Sequence, residues 1–122
     1  MKKIAYQGEP HCYTHQVINK FLNSYDTISC RSFDNVFSKL INKEVEFILI
    51  PIENSSGGSL YINYDLFYEH NIKHNINIVA EYTYQINHCL YTKKGIKLDD
   101  ISCVLSHPQA LLQCKDNIKK KG

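Results

Sequence analysis

Apolar positions along the 122-residue chain alternate between two periods, and each change of period marks a new element. Lys3-Ile-Ala-Tyr-Gln7 is a short strand stopped by Gly8 and Pro10. Residues 13–22 place Val17, Ile18, Phe21 and Leu22 on one side of a helix. Thr27-Ile-Ser-Cys-Arg31 alternates again and predicts a second strand. Ser32 suits the start of a helix carrying Val36, Phe37, Leu40 and Ile41, since its hydroxyl can accept an unpaired first-turn amide. Residues 45–50 are apolar nearly throughout, as in a strand covered on both faces. Ser59 is then placed to cap a helix over 60–69. Strands and helices alternating in this way predict an α/β fold built on a parallel sheet with right-handed crossovers.

Beyond that helix the rhythm breaks. Residues 76–90 read as one or two extended stretches, with Ile76, Ile78, Ala80 and Tyr82 alternating, suited to carry the chain from one lobe into another. Gly95 turns the chain and Ile101-Ser-Cys-Val-Leu105 reads as a further strand. Ser106 begins a helix with Pro108 in its first turn and Leu111, Leu112 and Ile118 on its apolar side.

Composition narrows the class. With 43% apolar and 21% charged residues, the chain is one globular domain or a piece of a larger one. A net charge of +2 is too small to argue for nucleic acid, and the basic run 119–121 sits where a helix end favours cations. No apolar run approaches the ~18 residues of a membrane span, so no membrane partner is expected. Met1-Lys-Lys has the charged start of a secretion signal without its apolar stretch. Cys12, Cys30, Cys89, Cys103 and Cys114 are odd in number and lack C-x-x-C spacing, which favours reduced thiols. The expected location is the cytoplasm, or a plastid if a transit peptide lies upstream.

Three strand-to-helix junctions carry the candidate chemistry: Gly8-Glu-Pro-His-Cys-Tyr-Thr14, Glu53-Asn-Ser-Ser-Gly-Gly-Ser59 and Ser106-His-Pro-Gln109. In an open parallel sheet such junctions lie at the carboxyl edge, where ligands bind. The unpaired amides of a first helical turn favour anions, and glycines at 57 and 58 let a backbone approach a ligand closely. A small anion with two carboxylates fits this pattern; a set of well-capped helices without a ligand fits it too. His11, Cys12 and His15 fall short of the four ligands of a structural zinc, so no metal is expected. Tyr61, Tyr64 and Tyr68 recur at helical spacing and read as packing residues, and His88 falls in an expected strand.

Lys3-Ile-Ala-Tyr-Gln-Gly8, Pro51-Ile-Glu-Asn-Ser-Ser-Gly-Gly-Ser59, Asn63-Tyr-Asp-Leu66, Ile78-Val-Ala-Glu81, Asn87-His-Cys-Leu90 and Val104-Leu-Ser-His-Pro-Gln-Ala-Leu111 occur in that order. The series resembles the catalytic domain of prephenate dehydratases, with wording nearer to the plant-type prephenate/arogenate dehydratases. The resemblance implies a two-lobed, periplasmic-binding-protein-like (type II) α/β fold with the site in the cleft. The first lobe would span 1–81, and 82–122 would be a second lobe that is incomplete in this chain. It implies a lyase of phenylalanine biosynthesis that removes water and carbon dioxide from prephenate or arogenate, needs no cofactor, and can form homo-oligomers at full length.

Carried onto matching positions, the resemblance places Tyr13, Thr14, Asn54, Ser55, Ser59, Ser106, His107 and Gln109 around the substrate. Glu53 ends the third strand, and because a carboxylate in an anion site repels the substrate, it reads as a loop-bracing acceptor rather than a general base. Its essential threonine belongs to a Thr-Arg-Phe segment beyond Gly122, so 1–122 alone is expected to be inactive; a non-catalytic anion-binding module is the alternative. One departure stands in the first junction. His11-Cys12 replaces the family's small pair, Gly followed by Ala or Ser.

Overall fold

A strand covered on both faces needs apolar side chains pointing both ways, and Lys3-Ile-Ala-Tyr-Gln7 supplies them. In the computed structural model, which describes residues 2–55 and 58–120, this segment is β1 (Lys3–Gln7), with Ile4, Ala5 and Tyr6 all buried. Gly57 and Lys121, both named above, lie outside the described residues. The chain divides into two units, Met1–Tyr84 and Gln85–Gly122.

In the first unit β1 is followed by α1 (Tyr13–Phe21), β2 (Asp26–Cys30), α2 (Phe33–Ile41) and β3 (Phe47–Ile48). β1 pairs in parallel with β2 and with β3, giving the sheet order β2-β1-β3 and placing Gln7 opposite Cys30. Alternation along β1 divides the core in two. Ile4 and Tyr6 pack with Ile18 of α1 on one face, while Ala5 packs with Cys30, Val36 of α2 and Val45 on the other. Parallel strands thus find a helix on each side, which is the condition for burying both faces. Ser32 caps α2 as expected, its hydroxyl accepting from Asn35 N at 3.1 Å.

Tyr6 is among the most buried side chains, at 1% exposure. Burial pushes its phenol above the ordinary range, and a hydrogen bond with Ser29 works against that rise. A folded-state pKa above the unfolded value means that this stability is complete below about pH 10 and is lost as the pH rises further. Denaturant midpoints measured from about pH 8 to 11 are therefore expected to fall less in Tyr6→Phe than in the unaltered protein. Equal slopes in the two proteins would remove Tyr6 from the alkaline response.

The expectations need correcting at several places. The second strand lies one residue earlier than 27–31, at Asp26–Cys30. Regular strand geometry covers only Phe47–Ile48 of 45–50, although Glu46 N to Lys3 O (3.2 Å) and Leu49 N to Ala5 O (3.0 Å) carry the pairing further. Ser59 does not cap a helix. Residues Glu53–Asn54 (β4) and Gly58–Ser59 (β5) form an antiparallel hairpin, Leu60 N is held by Ile52 O at 2.8 Å, and α3 (Tyr61–His74) starts only after it. This helix runs past the expected end at 69 and stops at Asn75, which takes a left-handed conformation with φ 54°. Tyr61, Tyr64 and Tyr68 are not core residues; Tyr61 is 75% exposed and Tyr68 69%. Leu66, with the buried Asn63, occupies the inward side instead.

No regular strand forms over 76–90 or 101–105 among the described residues, so His88 is not in a strand and Ile78 and Leu105 are exposed. Alternation alone does not make a strand, because backbone groups need a ladder partner. The second unit contains a 3₁₀ turn at Leu98–Asp100, then α4 (Pro108–Gln113) and α5 (Lys115–Lys120). The apolar side expected on this segment is exposed at Leu112 and Ile118. The five cysteines carry free thiols. Among the described residues no helix is long and apolar enough to cross a membrane.

Candidate functional site

The first wall of the candidate site grows from the carboxyl ends of β1 and β2. Gly8 follows β1 with φ 120°, a conformation open to glycine, and a Cβ added there would stand 3.2 Å from Cys12 Sγ. Its amide donates to Cys30 O at 2.9 Å and its carbonyl accepts from the Ser29 hydroxyl, which locks the turn to the end of β2. Gln7 Nε2 donates to Arg31 O at 3.4 Å from the same edge.

His11 sits in the left-handed region with φ 74°. A side chain there costs about 1–2 kcal/mol relative to ordinary backbone, which is the physical reason a glycine suits this position. Side chains of α1 reach back to hold the turn. His11 N donates to His15 Nδ1 at 2.8 Å, and Gln16 Nε2 donates to His11 O at 2.9 Å. The His15 ring in turn stacks on Tyr6, with centroids 5.0 Å apart. These two histidines and Cys12 are thus parts of a braced turn. Among the described residues no group of three or more His, Cys, Asp or Glu side chains is placed to hold a metal ion.

Cys12 stands at the N-cap of α1 without a side-chain cap, and Tyr13 and Thr14 are its half-buried first residues. Tyr13 lies against Tyr84 at a centroid distance of 6.2 Å, and Tyr84 donates its hydroxyl to Gln16 Oε1 at 3.0 Å.

The β4–β5 hairpin carries the second set of residues. Glu53 pairs with Ser59 and Asn54 with Gly58, leaving Ser55 exposed at the turn. Tyr64 of α3 donates to Glu53 Oε1 at 3.0 Å, and this bond holds the Tyr64 phenol above its ordinary range. Glu53 is an acceptor bracing the loop in this arrangement. Beneath the hairpin, the fully buried Asn63 donates from Nδ2 to Pro51 O at 2.7 Å, pinning the segment to α3.

In the second unit His107 is the N-cap of α4. Its Nδ1 accepts from Gln109 N at 3.1 Å, and Pro108 occupies the first turn where no amide donor is needed. Ser106, expected to begin the helix, precedes this cap and is exposed. Gln109 Nε2 is buried without a hydrogen-bond partner among the described residues. Tyr13, Thr14, Asn54, Ser55 and Ser59 thus belong to the first unit, and Ser106, His107 and Gln109 to the second.

Two side chains not picked out in the sequence stand at the first wall. Glu9 and Arg31 line one cleft of about 560 Å³ together with Gln7, Gly8, Ser29 and Cys30. Arg31 also borders a second cleft of about 380 Å³, beside the ion pair (2.8 Å) between Lys39 of α2 and Glu44 beyond its end. The available signal was that Arg31, the chain's only arginine, ends an alternating run.

The family model described as prephenate dehydratase matches residues 4–122. Arogenate dehydratase 2 of Petunia hybrida is 39% identical over 120 residues, covering 98% of this chain and 29% of that protein. Arogenate dehydratase/prephenate dehydratase 2, chloroplastic, of Arabidopsis thaliana is 38% identical over 120 residues, with 98% and 30% covered. The chain therefore spans under a third of the length of these relatives. With the family model running through both junctions of the first unit and the His107 helix, the chain belongs to the prephenate dehydratase family.

Proposed function

We propose that this chain is part of a dehydratase that converts prephenate to phenylpyruvate, or arogenate to phenylalanine, in phenylalanine biosynthesis. The observation that carries this reading is the family match over 4–122, which spans all three junctions. The catalytic domain is two-lobed and periplasmic-binding-protein-like, with 1–81 in the first lobe and 82–122 in the second. The cytoplasm or a plastid would house it, and the full-length protein would self-associate.

Catalysis in this reading is positioning and electrostatics. Substrate carboxylates are held by Thr14, Asn54, Ser55, Ser59, Ser106, His107 and Gln109, with Tyr13 shaping the wall. As the ring carboxylate leaves as carbon dioxide, the electron pair of the broken carbon–carbon bond enters the ring. The ring hydroxyl departs as water after taking a proton, and the ring becomes aromatic. That proton is assigned to the family's threonine and not to Glu53, whose carboxylate already accepts from Tyr64.

Asn54→Ala and Ser55→Ala, made singly and together in the full-length protein, test the assignment. Each lost donor to a charged group is expected to lower kcat/KM roughly ten- to hundredfold. Melting temperature is expected to change little in Ser55→Ala, because Ser55 is exposed at the turn. Turnover is followed by absorbance of the aromatic product. Undiminished turnover in a folded double variant removes these residues from the site.

A further inference from the structure

The cleft at the carboxyl ends of β1 and β2 carries two opposite charges, Glu9 and Arg31. Glu9 and Arg31 both line it, yet among the described residues no ion pair joins them. Their backbones are fixed. Glu9 O accepts from Cys12 N at 3.2 Å, Arg31 O accepts from Gln7 Nε2, and the neighbouring Gly8 N to Cys30 O bond ties the two segments together. Both side chains are exposed, so each reaches solvent from a rigid root. The cleft, about 560 Å³, is open to solvent.

A lone arginine would favour any carboxylate, and a lone glutamate would repel all of them. Held in one cleft, the two select a ligand bearing a carboxylate and an ammonium side by side. A guanidinium matches a carboxylate through two parallel hydrogen bonds, and a carboxylate accepts from an ammonium. A keto acid of the same shape offers Glu9 a carbonyl oxygen in place of the ammonium, and so meets repulsion where the amino acid meets attraction. Discrimination then comes from the unfavourable contact as much as from the favourable one.

We propose that Glu9 and Arg31 form a zwitterion-recognition pair that makes the amino-acid substrate, arogenate, preferred over its keto-acid counterpart, prephenate. The inference rests on the dehydratase reading above and adds to it Arg31 as a further donor to the side-chain carboxylate and the choice between the two substrates.

The test compares kcat/KM for arogenate and prephenate in the full-length protein, in Glu9→Gln and in Arg31→Gln, with melting curves as the folding control. Glu9→Gln is expected to lower the arogenate value about fivefold and to raise the prephenate value, since an exposed charge pair is worth up to about 1 kcal/mol. Arg31→Gln is expected to lower both values, about tenfold, because both substrates carry the side-chain carboxylate. A Glu9→Gln variant that shifts both substrates in the same direction and by the same factor overturns the proposal.

If the unaltered protein turns over neither substrate, the dehydratase reading fails and the pair is judged by equilibrium binding. L-phenylalanine and phenylpyruvate are then the probes, as an amino acid and keto acid of one shape. Weaker L-phenylalanine binding in Glu9→Gln with phenylpyruvate unweakened supports the pair, and equal loss of both sinks it.

Discussion

Truncating Phe37 to alanine is expected to destabilise the protein by about 3–5 kcal/mol. Adjacent positions on α2 face different neighbours. Val36 turns into the sheet core with Ala5 and Cys30, whereas Phe37, also fully buried, stacks on His70 of α3 with ring centroids 5.3 Å apart. The ring is therefore the filling between α2 and α3, and its loss leaves a cavity that two helices fixed to other elements cannot easily close. Urea denaturation followed by circular dichroism measures the change through the transition midpoint. A loss below about 1 kcal/mol would show that the helices collapse onto the vacated space, against the usual behaviour of a packed core.

Asn63→Ala is expected to act on stability and on turnover together. The amide is completely buried, and its Nδ2 is the donor to Pro51 O at the root of the β4–β5 hairpin. Removing it leaves the half-buried Pro51 carbonyl without that donor, at about 1 kcal/mol. In the proposed dehydratase the larger consequence is for Asn54 and Ser55, which ride on that hairpin. A displacement of ~1 Å at a positioning group can cost on the order of a hundredfold in rate, so kcat is expected to fall by about that factor in protein that remains folded. Steady-state kinetics beside a melting curve measure both effects. A destabilised variant with full kcat would separate Asn63 from the placement of the hairpin.

Much of the first unit is legible because each element carries its own period. Ile4, Ala5 and Tyr6, the helix face of Val17 and Ile18, and the Ser32 cap with Val36 and Phe37 each declare local structure before any tertiary contact is known. The hairpin is not legible in this way. Glu53-Asn54 and Gly58-Ser59 are two-residue polar strands with no apolar alternation, defined only by their pairing. Residues 76–90 show the reverse, since an alternating pattern without a ladder partner stays irregular. The family was legible from motif wording. Glu9 and Arg31 were not, because they are far apart in sequence and come to line one cleft through strand register, Gln7 opposite Cys30, which no local pattern encodes.

The left-handed backbone at His11 also limits how this loop can drift. A residue with φ 74° accepts glycine freely and asparagine or aspartate with little strain, while β-branched side chains clash and proline cannot reach that angle at all. Neutral variation at position 11 is therefore channelled into a narrow set of residues chosen by backbone geometry, whatever ligand the neighbouring cleft takes. Its neighbour Cys12 has φ −62°, so it faces no such filter, and the two halves of one dipeptide evolve under different rules.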